Sequence, residues 1–362
     1  MSSREISRER ILDGEIFSIA EYERRIELAR RALRGSGIDV ALVGDPISHC
    51  YLTGTALPTI RQSEARLLIV PSRGDPLWLV QEEGAVEIVA MTDIPWRHWD
   101  GRGGSSVLEG LIANRVVAWD RSARGLIDLP GVRPSDADGL LRRLRVAKSN
   151  AEQTRLRRAG TIAARAMRRL LTRLRSGMTE RQIATVGRAA LAAEGSPDGA
   201  CAVTWEDGAP RYPSPRALPI SAGTPFSVSL VAVVGGYRAL CRRAAIEGAA
   251  DAEVGRIVFL ADRLHRALGA GLRAGVAPAV LLGDLSVSPQ LSWSEVAPLI
   301  VESLGLAFPD ETLPADETLA AGSAIVLEPP FRPRWAVAAD TYLISASGAE
   351  SLTACPTDLH VF

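Results

Sequence analysis

The stretch from Ser149 to Leu170 constrains this chain more than any other. Ser149-Asn-Ala-Glu152 has capping-box spacing, in which a serine hydroxyl and a glutamate carboxylate each satisfy a backbone N–H that a helix start leaves unpaired. Apolar residues then recur at Leu156, Ala159, Ile162, Ala163, Ala166, Met167 and Leu170, mostly three or four apart, which predicts a long helix with one buried stripe. Gly177 is its stop, and Thr179-Glu-Arg-Gln182 caps a second helix running to about Ala193 and ended by Gly195. A third helix is predicted over 252–268, and a fourth from the box Ser292-Trp-Ser-Glu295 to near Gly305. Between them lie β-like runs at Phe226–Val234, Ala324–Leu327 and Thr341–Ser345. Helix pairs followed by strands suggest an internally duplicated α+β layer.

The N-terminal part reads differently. Ser18-Ile-Ala-Glu21 has capping-box spacing, and helix formers follow to Arg34, with Gly35 and Gly37 as stops. A short strand over Asp39–Val43 ends at Gly44-Asp45-Pro46. Ala65–Val70 and Leu77–Val80 flank the turn Pro71–Pro76 and predict a hairpin, and Val116–Trp119 is a further strand. A chain of 362 residues is long for one core. Two domains are therefore expected: a smaller α/β domain over 1–146 and an α+β domain over 147–362.

Lys+Arg equals Asp+Glu at 42 each, so global charge points to neither nucleic acid nor an anionic membrane. The arginine clusters at 142–145, 155–158 and 165–175 fall largely opposite the apolar stripe and read as a solvated face. The charged start Met1–Arg10 is unlike a signal peptide, and no apolar run is long enough to span a membrane. Cys50, Cys201, Cys241 and Cys355 are scattered without CxxC spacing, which fits reduced thiols in a cytoplasm.

The segment Ile220–Gly248, ISAGTPFSVSLVAVVGGYRALCRRAAIEG, resembles the central signature of the creatinase/prolidase/methionine aminopeptidase family. Further pieces follow in family order: Asp45–Gly54, Lys148–Glu152, Gly177–Glu180, Leu319–Gly322 through Glu328-Pro329, and Gly348–Thr353. The resemblance implies an α+β protein with a pita-bread C-terminal domain, a smaller α/β creatinase-like N-terminal domain, and assembly as a homodimer.

The family binds two divalent metals through two aspartates, a histidine and two glutamates. Those positions fall here on Ser229, Leu240, Leu306, Glu328 and Ala339, so only Glu328 keeps its donor. Asp340 retains the acid after Ala339, and Val337 replaces the family arginine. A leucine cannot ligate a hard cation, and a single carboxylate cannot hold a metal pair. No metal and no other cofactor is expected. Creatinase itself shows that this fold can work without metal.

The resemblance makes Glu328 the first catalytic candidate, as an acid or base, against the reading that it is a relic held by an arginine. Arg243, at the family's T-R-T arginine, is expected to pair with Glu328 or to bind an anionic substrate, while Arg242 is expected to face the other way. Tyr212 stands near a further family histidine and is the third catalytic candidate. Ser229, Trp205, Asp207, Arg334 and Trp335 are candidate substrate contacts, with core packing as the bland reading of the tryptophans. His49 is a candidate base supplied across a dimer, against a histidine bonded to backbone. Cys241 reads as a buried thiol and His265 as solvated.

These readings favour a metal-independent enzyme acting on a small polar, amino-acid-derived metabolite by C–N hydrolysis, elimination, isomerisation or cyclisation, in bacterial specialised metabolism. The alternatives are an inactive pseudopeptidase serving as a binding module and, behind it, an active Xaa-Pro metallopeptidase. A small-molecule substrate is expected, and no nucleic-acid or membrane partner.

Overall fold

The structure, a computed structural model, describes residues 17–54, 66–80, 94–99, 106–127, 134–205, 216–284, 300–306, 311–312 and 316–362. The chain divides into two compact units, Met1–Arg145 and Val146–Phe362.

The first unit is built on a mixed sheet. Its strands are β1 (Val40–Val43), β2 (Arg66–Pro71), β3 (Leu77–Val80), β4 (Trp96–His98), β5 (Val117–Trp119) and β6 (Ser135–Asp136), in the order β4-β3-β2-β1-β5-β6. The hairpin β2–β3 forms as its Gly/Pro turn predicts, in the register Arg66↔Val80. Val40, Leu42, Leu67, Ile69, Leu79 and Trp99 form the core of one face.

Helix α1 (Ile19–Gly35) starts at Ser18, but the expected capping box is not made. The Ser18 side chain makes no cap bond, and the Glu21 carboxylate is taken by Arg24 and Arg25 at 2.8–2.9 Å. A charged donor at i+3 or i+4 outcompetes a single backbone N–H for that carboxylate. Gly44-Asp45-Pro46 ends β1 and also opens helix α2 (Pro46–Thr53), with the Asp45 carboxylate accepting from Ser48 N at 2.8 Å and Pro46 in the first turn. Helices α3 (Ser106–Ile112), α4 (Arg121–Leu126) and α5 (Asp138–Val146) follow among the described residues.

The second unit opens with the predicted helix pair, α6 (Asn150–Leu171) and α7 (Glu180–Ala193), and both capping boxes form. At α6, Ser149 N donates to Glu152 at 2.8 Å and Glu152 N donates to the Ser149 hydroxyl at 3.3 Å. Helix α6 also rides directly on the C-terminal segment, since a Cβ at Gly160 would overlap the backbone of Leu352. Two further helices follow, α8 (Ala252–Gly271) and α9 (Pro278–Asp284).

The large sheet contains β7 (Ala200–Trp205), β8 (Phe226–Val234), β9 (Tyr237–Ile246), β10 (Ile300–Ser303), β11 (Glu311–Thr312), β12 (Ala324–Glu328), β13 (Ala339–Ile344), β14 (Ala349–Ser351) and β15 (His360–Val361). Its main path runs β11-β10-β12-β13-β9-β8-β7. The predicted fourth helix is corrected. Its box, Ser292–Glu295, lies outside the described residues, and 300–303 is strand β10, antiparallel to β12. Pairing with β12 overrides the local helical pattern there.

Candidate functional site

Residues opposite one another in a sheet share a face, and neighbours along a strand alternate. In the second unit Val203, Val228, Leu230, Cys241 and Ala245 face α6 and α7 within one hydrophobic cluster. Leu327, Tyr342 and Ile344 pack with Leu268 of α8 in another. The residues in the opposite phase form the other face. Thr204 pairs with Ser227, Ser229 with Arg242, and Arg242 with Ala339, while Leu327 pairs with Asp340 and so puts Glu328 on the Arg242 side.

A buried polar row therefore draws on the four strands β7, β8, β9 and β12: Thr204, Ser227, Ser229, Arg242 and Glu328. Its centre is Arg242, which donates from Nε to the Ser229 hydroxyl at 2.8 Å and forms an ion pair through Nη2 with Glu328 Oε1 at 2.9 Å. Arg242 is 2% exposed and Glu328 9%. A guanidinium stays charged at this burial, and its planar fork holds both partners in fixed directions. Thr204 Oγ1 and Ser227 Oγ are buried with no hydrogen-bond partner. An orphaned buried hydroxyl costs on the order of 1–3 kcal/mol, so two side by side are an expensive arrangement for a face with no ligand.

Arg243 does not make the expected pair with Glu328, because it points to the helix-covered face. There it meets Asp340 at 2.8 Å and donates to the carbonyls of Ala339 (3.3 Å), Thr353 (3.3 Å), Cys355 (2.8 Å) and Pro356 (2.9 Å). Asp340 also accepts from Thr353 Oγ1 at 2.6 Å and contacts His265 Nε2 at 2.9 Å, with Tyr342 OH 3.2 Å from that nitrogen. Burial pushes the Asp340 carboxyl up, but His265 and Arg243 outweigh it and hold the group below the usual carboxylate range. His265 is thus a buried network member and not a solvated helix residue. With every Arg243 nitrogen committed to the chain, this network ties β9, β13 and the C-terminal segment together.

The turn Arg334–Ala336 lies close to β7, β8 and β9, whereas Trp205 faces the helices. Trp205 is half-buried on the α6–α7 side, and its Nε1 donates to Glu180. Trp335 sits in a 3-10 turn, Arg334–Ala336, and packs in a core cluster with Val258, Leu260 and Ala261, so the core reading holds for it. Arg334 is half-buried in the same turn. Asp207 and Tyr212 lie outside the described residues. His49 is 1% exposed in the first unit, with Nε2 donating to Val43 O at 2.8 Å and its ring 4.7 Å from that of Trp78. Burial takes the His49 pKa down to about 4 against the opposing Val43 bond, so it is a neutral core residue and not a base reaching a partner. Leu306 is buried against the β8–β9 turn at Gly236. Sequence reasoning missed Arg242, Thr204 and Ser227. The register of β8 with β9 is the signal that finds them.

The donors of this face do not fit a divalent metal pair. Ser229 is neutral, Leu240 is apolar and Ala339 has no donor, while the Glu328 carboxylate is already neutralised by a guanidinium. Among the described residues, no group of three or more His, Cys, Asp or Glu side chains could hold a metal ion.

Residues 154–346 match metallopeptidase family M24, and residues 25–147 match the creatinase/prolidase N-terminal domain. A probable dipeptidase PepE of Mycobacterium tuberculosis is 27% identical over 371 residues, covering 95% of this chain and 98% of that protein. The crystal structure of dipeptidase PepE from Mycobacterium ulcerans is similar with a TM-score of 0.81 at 22% identity, covering 96% of this chain and 99% of the other. The Xaa-Pro dipeptidase of Bacillus anthracis has a TM-score of 0.76 at 16% identity, covering 94% and 100%. The architecture is therefore a small creatinase-like N-terminal domain and a C-terminal pita-bread domain. The expectation of a metal-independent enzyme on a small metabolite is overturned, since the relatives are named as dipeptidases and point to peptides. Among the described residues, no helix is long and apolar enough to cross a membrane.

Proposed function

This chain belongs to metallopeptidase family M24, and on that premise we propose that its second unit acts on short peptides, with cleavage of dipeptides as its activity. The observation that carries this reading is coverage. The likeness to a probable dipeptidase runs over 95% of this chain and 98% of that relative, so both domains are kept together. The polar row supports it. Arg242 supplies a donor suited to a peptide carboxylate or carbonyl, and Glu328 an acceptor suited to an ammonium group. A homodimer in the cytoplasm is part of the same proposal.

The test is incubation of the purified chain with a panel of dipeptides, including Xaa-Pro dipeptides, with released amino acids measured by mass spectrometry. Release from at least one dipeptide class, lost in Glu328→Gln, is the expected result. No release and no binding across the panel overturns the proposal. One observation favours a second reading, peptide binding without cleavage: the positions that would need metal donors hold Ser229, Leu240 and Ala339 around a fixed arginine. Binding with no release in the same panel selects it.

A further inference from the structure

We infer that the Arg242 guanidinium is the resident cation of this site, that it receives the terminal carboxylate of a short peptide, and that it excludes divalent metal. The inference rests on the short-peptide reading above and assigns the group that performs the recognition.

Three observations carry it. First, Arg242 donates a hydrogen bond to Ser229 and forms an ion pair with Glu328, two of the positions where the family resemblance places metal ligands. A fixed positive charge between them repels a second cation, and Glu328 cannot serve a metal without leaving the guanidinium unpaired at 2% exposure.

Second, the pairing is incomplete. Arg242 uses Nε and Nη2, and among the described residues no hydrogen bond engages Nη1 or Glu328 Oε2. Spare capacity on both sides of a buried ion pair offers a donor to an anion and an acceptor to a cation.

Third, the orphaned hydroxyls of Thr204 and Ser227 lie on the same face, on the strands next to β9 on its β8 side. Glu328 lies in the opposite direction, beyond β13. The face is thus donor-rich at one end and carboxylate-bearing at the other. Strands lie about 4.8 Å apart, so this span of several strands suits a zwitterion of two or three residues, with its carboxylate toward Arg242 and the hydroxyls and its ammonium toward Glu328.

The experiment has two arms on the intact protein. In the first, the wild-type chain is dialysed against Mn²⁺, Co²⁺ and Zn²⁺ separately, and bound metal is measured by elemental mass spectrometry. Less than about a tenth of an equivalent is expected, and one or more equivalents bound by the wild-type chain overturn the inference. In the second, native mass spectrometry compares a pooled dipeptide library with the same pool carrying C-terminal amides. The free-acid pool is expected to bind at least about tenfold more tightly, and Arg242→Lys is expected to erase most of that preference while circular dichroism shows the fold retained. Equal binding of acids and amides overturns the inference and leaves the short-peptide reading standing. Binding of neither pool overturns both. The wild-type comparison of acids with amides needs no variant, so misfolding of an Arg242 variant cannot hide the outcome.

Discussion

Arg242 and Glu328 come from strands that β13 separates, 86 positions apart in sequence, and meet at 2.9 Å on the face turned away from the helices. The adjacent Arg243 turns to the other face and holds Asp340 at 2.8 Å. Two neighbouring arginines thus serve two buried carboxylates on opposite sides of one strand. The first pair lies among the candidate site residues, and the second locks the C-terminal segment to the sheet.

Breaking the Arg242–Glu328 pair from one side leaves a buried charge without its partner. Glu328→Leu or Arg242→Met alone is expected to cost about 3 kcal/mol, whereas the double variant Arg242→Met/Glu328→Leu recovers most of that loss. Urea denaturation of the four proteins forms a double-mutant cycle, and single losses below about 1 kcal/mol, or strictly additive ones, would remove the coupling.

Capping gives a paired contrast. Ser149 completes a capping box at α6, while the Ser18 side chain makes no cap bond at α1. Ser149→Ala is expected to cost about 1 kcal/mol and Ser18→Ala a few tenths. Thermal melts of the two variants decide it. Equal losses would show that the α1 box forms in solution.

His49 sets a pH dependence in the first unit. Its pKa falls from 6.5 when unfolded to about 4 when folded, because burial disfavours the imidazolium. Between these values the unfolded chain takes up a proton that the native chain refuses, so stability drops as pH falls from about 6.5 to 4, by on the order of 3 kcal/mol. Asp120 opposes this. Burial raises its carboxyl to about 6 despite three backbone N–H donors, so its contribution grows as pH falls through the same range. His49→Asn removes only the first effect. Its stability relative to wild type should therefore rise between pH 6.5 and 4 in chemical denaturation, and a parallel pair of curves would refute the assignment.

Three of the four thiols, Cys201, Cys241 and Cys355, should separate by reactivity. The Cys355 thiol is brought down to about 6 by a hydrogen bond from Cys241, helped by Arg243 and opposed by burial. Burial pushes Cys201 up to about 12, and Cys241 is raised by its bond to Cys355 and by burial. Brief iodoacetamide treatment at pH 7 is expected to label Cys355 ahead of both, and Cys241→Ala to slow that labelling severalfold. Peptide mass spectrometry reads the order. Labelling of Cys355 that is insensitive to the Cys241 change would rule out the thiol pair.

The sequence by itself determined the elements whose cause is local. The α6 and α7 boxes, the stripe from Leu156 to Leu170 and the β2–β3 turn depend on residues a few positions apart, and they form as read. It also shows that the side chains of Leu240 and Ala339 carry no donor atom to offer a metal. Tertiary structure alone decided which arginine serves Glu328. In a strand buried on both faces over residues 239–246 the alternation of faces is invisible to hydropathy, and the phase of β9 is set by its register with β8 and β13. The same holds for His265, which sits on an amphipathic helix but meets Asp340, 75 positions away. Both outcomes follow from long-range pairing of strands and side chains that no local window of sequence contains.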